Sequence, residues 1–141
     1  MTGQSLGEFF ATEVAAPLGA DFHIGTPEAL WPRVGELIPP PDTTASPQDG
    51  AHDSIAARTF SNPLADASQS STPGWRLAEI PAANGHGNAR AVVRAQTAMA
   101  NDGKAFGVEL MSKAGTERIF DEQTHGEDLV LGVPMRFGMG Y

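Results

Sequence analysis

GHGNARAVVRAQTAMANDG, residues 85–103, decides how this chain is read. Asn88 can cap a helix by accepting a hydrogen bond from a first-turn amide, and the Ala, Arg and Gln that follow are good helix formers. The pattern predicts a helix over Ala89–Ala100, with Val92, Val93, Gln96 and Met99 on one buried face. Gly103 closes it as a C-terminal glycine. Before the cap, Gly85 and Gly87 are expected to supply a tight turn. The competing reading of Asn84-Gly85-His86-Gly87 is an anion nest, since successive amides at a helix start offer backbone donors.

Working towards the N-terminus, Ser5 and Glu8 are spaced as a capping box, so a helix is expected from Ser5 to Leu18. Leu6, Phe9, Phe10, Val14 and Leu18 fall on one stripe, which predicts both phenylalanines buried, and Pro17 with Gly19 should stop the helix. Asp21–Gly25 reads as extended. Thr26-Pro27-Glu28 has the form of a cap followed by a brief helix through Leu30, ended by Trp31-Pro32. The β-branched residues of 33–38, before three consecutive prolines, favour a short strand. Residues 39–53, PPPDTTASPQDGAHD, lack periodicity and predict an exposed loop, after which Ser54–Phe60 is expected to be helical with Ile55 and Phe60 inward, ended by Asn62-Pro63. Asp66–Pro73 is a second polar stretch.

Towards the C-terminus, Ser112 is expected to cap a helix over Lys113–Gln123 that buries Ile119 and Phe120. Leu129–Tyr141 carries apolar Val130, Val133, Met135, Phe137 and Met139 and reads as a closing strand, which Pro134 confines to an edge or a bulge. No internal repeat is visible. The charged residues Arg76 to Glu79, Arg90 with Arg94, and Glu117 to Arg118 are read as solvated faces.

With 141 residues, 40% apolar and 18% charged, the chain predicts one domain over 1–141, while 16 Gly and 11 Pro predict a small core and long connections. A net charge of −8 argues against nucleic acid and anionic membrane surfaces as partners. The absence of cysteine removes disulfides, thiolate metal sites and cysteine nucleophiles. With no basic-then-apolar leader and no apolar run of about 18 residues, a soluble cytoplasmic chain is expected. His23, His52, His86 and His125 show no i, i+4 pairing or ligand spacing, so no metal and no cofactor is expected. Gly-x-Ser-x-Gly does not occur, and Ser68, Ser70 and Ser71 read as solvated turn residues.

The stretches SLGEFFATEVAAPLGADFHIG (5–25), IPAANGHG (80–87) and 85–103 resemble an internal segment of a β-lactamase-fold serine esterase, of the family VIII carboxylesterase or class C β-lactamase-related type. The likeness spans nearly the whole chain and is strongest at 5–25 and 79–103. It implies a mainly α (α+β) fold: the helical lobe of the serine β-lactamase/DD-peptidase-like fold with a few short strands, with Phe22 and Ile24 facing inward. It also implies that the loop at Asn84 and His86 lies towards the substrate cleft, where those two residues would shape acyl or alcohol specificity. The motifs that carry the family's chemistry depart from the pattern. Three residues before Lys104 and Lys113 stand Asn101 and Leu110, so there is no Ser-x-x-Lys; the only tyrosine is Tyr141, so there is no Tyr-x-Asn; no late strand carries Lys-Thr-Gly or His-x-Gly. The expectation is a catalytically incomplete segment that serves as scaffold and cleft wall and is inactive alone, with no catalytic residue of its own. Surface normally covered by an α/β lobe would favour a homo-oligomer. The alternatives are a self-associating or ligand-binding module, and a free-standing hydrolase in which a histidine, a carboxylate and a nucleophile meet in space.

Overall fold

The computed structural model describes residues 2–38, 54–61 and 67–140. The expected loop at 39–53 and the Asn62-Pro63 stop lie outside the described residues. The first helix opens as expected: the Ser5 hydroxyl accepts from the Glu8 amide at 3.2 Å, and the Glu8 carboxylate accepts from the Ser5 amide at 3.1 Å. It runs as α1 (Leu6–Phe9), a π-helical stretch (Phe10–Ala15) and α2 (Ala16–Leu18). Pro17 lies inside this helix, in the first turn of α2, rather than ending it. Gly19, at φ 60°, is the stop.

The π stretch also explains why Phe9 is exposed. The wider turn advances the helical phase, so Phe10, Val14 and Leu18 keep the inner face while Leu6 and Phe9 rotate towards solvent. Leu18 is 0% exposed and centres the core with Ala98 and Ala105, flanked by Val14, Met99, Val108 and Leu110.

Downstream, a 3₁₀ helix covers Glu28–Arg33 and takes in Trp31 and Pro32. Its cap is Pro27, and the Thr26 hydroxyl caps nothing. The strand expected over 33–38 does not form: Arg33 ends the 3₁₀ helix, and residues 34–38 run without regular structure and mostly exposed. A β-branched run becomes a strand only with an edge to pair against. Helix α3 (Ile55–Ser61) forms, but Ile55 and Phe60 are both exposed. Ala67–Ser71 forms a second 3₁₀ helix, and Thr72 caps α4 (Pro73–Leu77).

Helix α5 (Ala89–Thr97) is capped by Asn88, whose side-chain oxygen accepts from Ala91 N at 3.0 Å. Its inner face is not the valine face. Val92 and Val93 are exposed while Ala91 and Ala98 are buried, and Ala98 packs in the core with Leu18. After a turn, Gly103 (φ 85°) donates to Ala98 O at 2.8 Å and accepts from Leu110 N at 2.9 Å. It thereby starts a two-stranded hairpin of β1 (Lys104–Ala105) and β2 (Val108–Glu109).

Ser112 caps α6 (Lys113–Ile119), one turn shorter than expected. Ile119 is half-buried, but Phe120 is 61% exposed because the helix has already ended before it. The closing strand is shorter than its apolar pattern and has a partner that the pattern hides. β3 (Thr124–Glu127) pairs antiparallel with β4 (Pro134–Phe137), register Thr124 to Phe137, and Leu129–Leu131 form the turn between them. Pro134 occupies the first position of its strand, where no ladder donor is lost. The architecture is mainly helical with two small hairpins.

Candidate functional site

The chain is drawn together where Asp21–Gly25 crosses the turn before α5. His23 donates its amide to His86 O at 2.9 Å and accepts from His86 N at 2.8 Å, a single antiparallel bridge. Beneath it lies the Phe22 ring, in edge contact with Phe10. A β-carbon on Gly85 or Gly87 would overlap that ring. Neither glycine has positive φ. They are glycines so that the backbone can lie on Phe22, and the tight-turn reading is corrected accordingly.

Asn84 fixes the start of this loop. It is 2% exposed, its amide donates to Trp75 O (2.8 Å) and Ala78 O, and its oxygen accepts from Ile80 N at 2.9 Å. All of its bonds go to backbone that would otherwise be unpaired. His86 is half-buried and faces a depression of about 300 Å³ lined also by Asp21, His23, Thr26, Arg33 and Asn88. His86 is therefore one of the residues that line the depression, while Asn84 is buried and is not among them.

The sequence does not single out the other polar groups here. Asp21 accepts from His23 Nε2 at 3.1 Å through one oxygen and is paired with Arg33 through the other. The Arg33 bond, then the His23 bond, holds the Asp21 carboxyl below its ordinary pKa. His23 and Asp21 stand two apart in sequence, but nothing local announces that His86 lies across from them.

Behind the depression Thr26 is 1% exposed; its carbonyl accepts from Trp31 Nε1 at 2.9 Å, and its hydroxyl oxygen has no partner. The Arg76 guanidinium lies 5.5 Å from the Trp31 ring centre. Among the described residues Thr26 is the one lining residue with a hydroxyl, and that oxygen is sealed from the surface, so none of them places a nucleophile beside the His23–Asp21 pair.

Two of the charged groups read as solvated instead tie the N-terminal helix down. Glu79 accepts from the Ser5 hydroxyl at 2.7 Å and the Gly7 amide at 2.8 Å, complementing the helix N-terminus. The Gly7 amide, then the Ser5 hydroxyl, lowers the Glu79 pKa. Arg94 donates to Leu18 O at 2.7 Å, capping the other end, and lies 4.1 Å from the Phe106 ring centre. Among the described residues no group of three His, Asp or Glu side chains converges as a metal site, and no helix is long and apolar enough to cross a membrane.

No family model matches the chain. Over its whole length it is 34% identical to the esterase/β-lactamase LipL of Mycobacterium tuberculosis (strain ATCC 25618 / H37Rv), of which it spans 35%. It superposes over 98% of its length on a family VIII carboxylesterase (34% identity, TM-score 0.83, 35% of that chain). It does so equally on a penicillin-binding protein homologue from Caulobacter crescentus (34% identity, TM-score 0.77, 36% of that chain). EstA from Arthrobacter nitroguajacolicus Rue61a, at 23% identity and TM-score 0.82, shares the fold. The chain spans about a third of the length of the proteins it matches.

Proposed function

We propose that this chain, which has the fold of one segment of the β-lactamase-like serine esterases, acts as scaffold and substrate-cleft wall of such a hydrolase and is inactive alone. One observation carries the reading: the whole chain fits about a third of an esterase, yet holds no serine followed three residues later by lysine. In a mechanism built on an activated nucleophile, a segment without nucleophile or proton acceptor contributes shape and support. The cleft-wall role falls to the loop 84–88, with His86 facing the depression and Asn84 holding the loop in place. The chain folds as one unit for this purpose.

Hydrolysis of p-nitrophenyl acetate, p-nitrophenyl butyrate and nitrocefin by the folded chain, checked by circular dichroism, is the test. No turnover above a denatured control is expected. Reproducible turnover that copurifies with the chain would overturn the proposal and favour a free-standing hydrolase.

A second reading, self-association, is favoured by the apolar residues left outside. Leu129 is 71% exposed, and Leu131, Val133 and Phe137 of the second hairpin are exposed with it, beside the exposed Phe120. In this reading these faces meet in a homo-oligomer of a cytoplasmic protein. Light scattering across a hundredfold concentration range checks it, and a monomer throughout would rule it out.

A further inference from the structure

The hairpin β3–β4 is a sheet of two strands, so each strand has one side without a neighbouring strand among the described residues. Such a ribbon is marginal in water until a further strand or a packed element joins it. Its register determines which backbone groups stand on the open sides, because hydrogen-bonded and non-hydrogen-bonded pairs alternate along an antiparallel ladder. Asp128 N donates to Val133 O at 2.9 Å, which makes the next pair, Glu127 with Pro134, one of the non-hydrogen-bonded kind, as a residue without an N–H requires. The hydrogen-bonded pairs are therefore Gly126 with Met135 and Thr124 with Phe137, and the N–H and C=O of His125 and Glu127 point away from β4. On the far side of β4 the outward residues are Pro134 and Arg136, so that edge lacks a donor. The β3 edge is complete. Thr124, His125, Gly126 and Glu127 are all exposed, and the strand carries none of the Lys, Pro or bulge that blunt an open edge.

We propose that β3 pairs antiparallel with β3 of a second copy of this chain, about a two-fold axis at Gly126, giving one continuous sheet in the order β4–β3–β3–β4. The inference rests on the self-association reading and names its contact. The two-fold sets His125 opposite the partner's Glu127 and Glu127 opposite the partner's His125, each pair exchanging both backbone bonds. In each pair an imidazole faces a carboxylate across the strands, a favourable cross-strand arrangement. Sliding the pairing by two residues in either direction would instead oppose His125 to itself or Glu127 to itself, so side-chain complementarity selects the register at Gly126. The other face of the ribbon presents Thr124, Met135 and Phe137, which line an open groove with Ile55, and the pairing extends that face from one copy into the next. The same axis carries the exposed turn Leu129–Leu131 of each copy towards the partner's Phe120, which precedes β3 in the chain. A corresponding pairing through β4 would set Pro134 opposite the partner's Arg136, with a donor missing from each pair.

The experiment follows the untagged full chain by light scattering from about 50 µM to about 1 mM, with amide hydrogen exchange read residue by residue by NMR at both ends of the range. A dimer is expected at the upper end, in which the His125 and Glu127 amides gain at least about tenfold protection and the Arg136 amide gains none. His125→Glu sets a carboxylate opposite the partner's Glu127 and should weaken the dimer about tenfold, and adding Glu127→Lys should restore it, with circular dichroism confirming that each variant is folded. Should a variant fail to fold, the exchange measurement on the unmodified chain decides. A monomer throughout overturns both this pairing and the self-association reading, and leaves the edge to a strand from elsewhere in a longer hydrolase. A dimer in which His125 and Glu127 exchange as fast as in the monomer, or in which the added Glu127→Lys recovers nothing, overturns the strand pairing while self-association stands.

Discussion

Replacing Asn84 separates a residue that holds the loop from one that faces a ligand. Its amide donates to two backbone carbonyls and accepts from one backbone amide, all within nine residues before it, at 2% exposure. In Asn84→Ala the three bonds are lost at about 0.5–1.5 kcal/mol each, for a total of about 2–4 kcal/mol. For a chain of this size that is a fall in Tm of roughly 6–16 °C. Asn84→Asp keeps the shape and the bond from Ile80 N but turns an anionic oxygen towards the Trp75 and Ala78 carbonyls. Burial and those acceptors raise the folded-state pKa of the introduced carboxyl above its unfolded value. The unfolded chain then releases that proton at lower pH than the folded chain does, so the variant loses stability as pH rises through the carboxylate range and recovers in acid. Urea unfolding followed by tryptophan fluorescence at pH 4 and pH 7 reads both effects, since Trp75 belongs to the network. An Asn84→Ala chain within about 0.5 kcal/mol of the parent, or an Asn84→Asp chain equally stable at both pH values relative to the parent, would refute the clamp.

Leu18→Ala, which empties the centre of the core, should cost about 3 kcal/mol in the same assay, whereas Leu129→Ala, at an exposed turn, should cost under about 0.5 kcal/mol. Gly103→Ala combines positive φ with a β-carbon that would overlap Met111 O, and should destabilise by at least about 2 kcal/mol; Gly107→Ala, at φ 81° with open space around it, carries only the backbone term of about 1 kcal/mol. Glu79 has a lowered folded pKa, caused first by the Gly7 amide. Its contribution is therefore present above the ordinary carboxylate pKa and lost as pH falls through the lower folded value. Glu79→Gln should flatten the acid limb of the stability profile, and an unchanged limb would exclude the tie.

Signals that depend on three or four neighbouring residues are legible in the sequence. The Ser5–Glu8 box and the Asn88 and Ser112 caps stand where local hydrogen bonding puts them, whereas the helix expected to run to Ala100 and close at Gly103 ends at Thr97, six residues before that glycine. The buried faces are not legible in the same way. Periodicity places Phe9, Val92 and Val93 inward, but the π stretch rotates one helix, and on the other it is Ala91 and Ala98 that are buried. Phe60 and Phe120 are apolar yet largely exposed, so a rule that equates apolar with buried fails at both. β3 escapes the pattern because Thr-His-Gly-Glu has no apolar alternation; pairing with β4 makes it a strand. At the candidate site, glycines mark the loop 84–88, while nothing marks His23 and Asp21, because their relation to His86 exists only across the bridge.

The two polar ties on the N-terminal helix bear on how the chain is made. Glu79 reaches back 74 residues to Ser5, and Arg94 reaches back 76 to Leu18. At about 5–20 residues per second on the ribosome, the residue that secures Leu18 is added about 4–15 s after it. Until Glu79 is made the π-containing helix lacks both end partners, until Arg94 is made it lacks one, and Leu18 waits longer still for Ala98 and Ala105 to cover it. This helix thus waits through about 76 residues of synthesis for its second tie, and over that time its apolar face is a part of the nascent chain that a chaperone can meet.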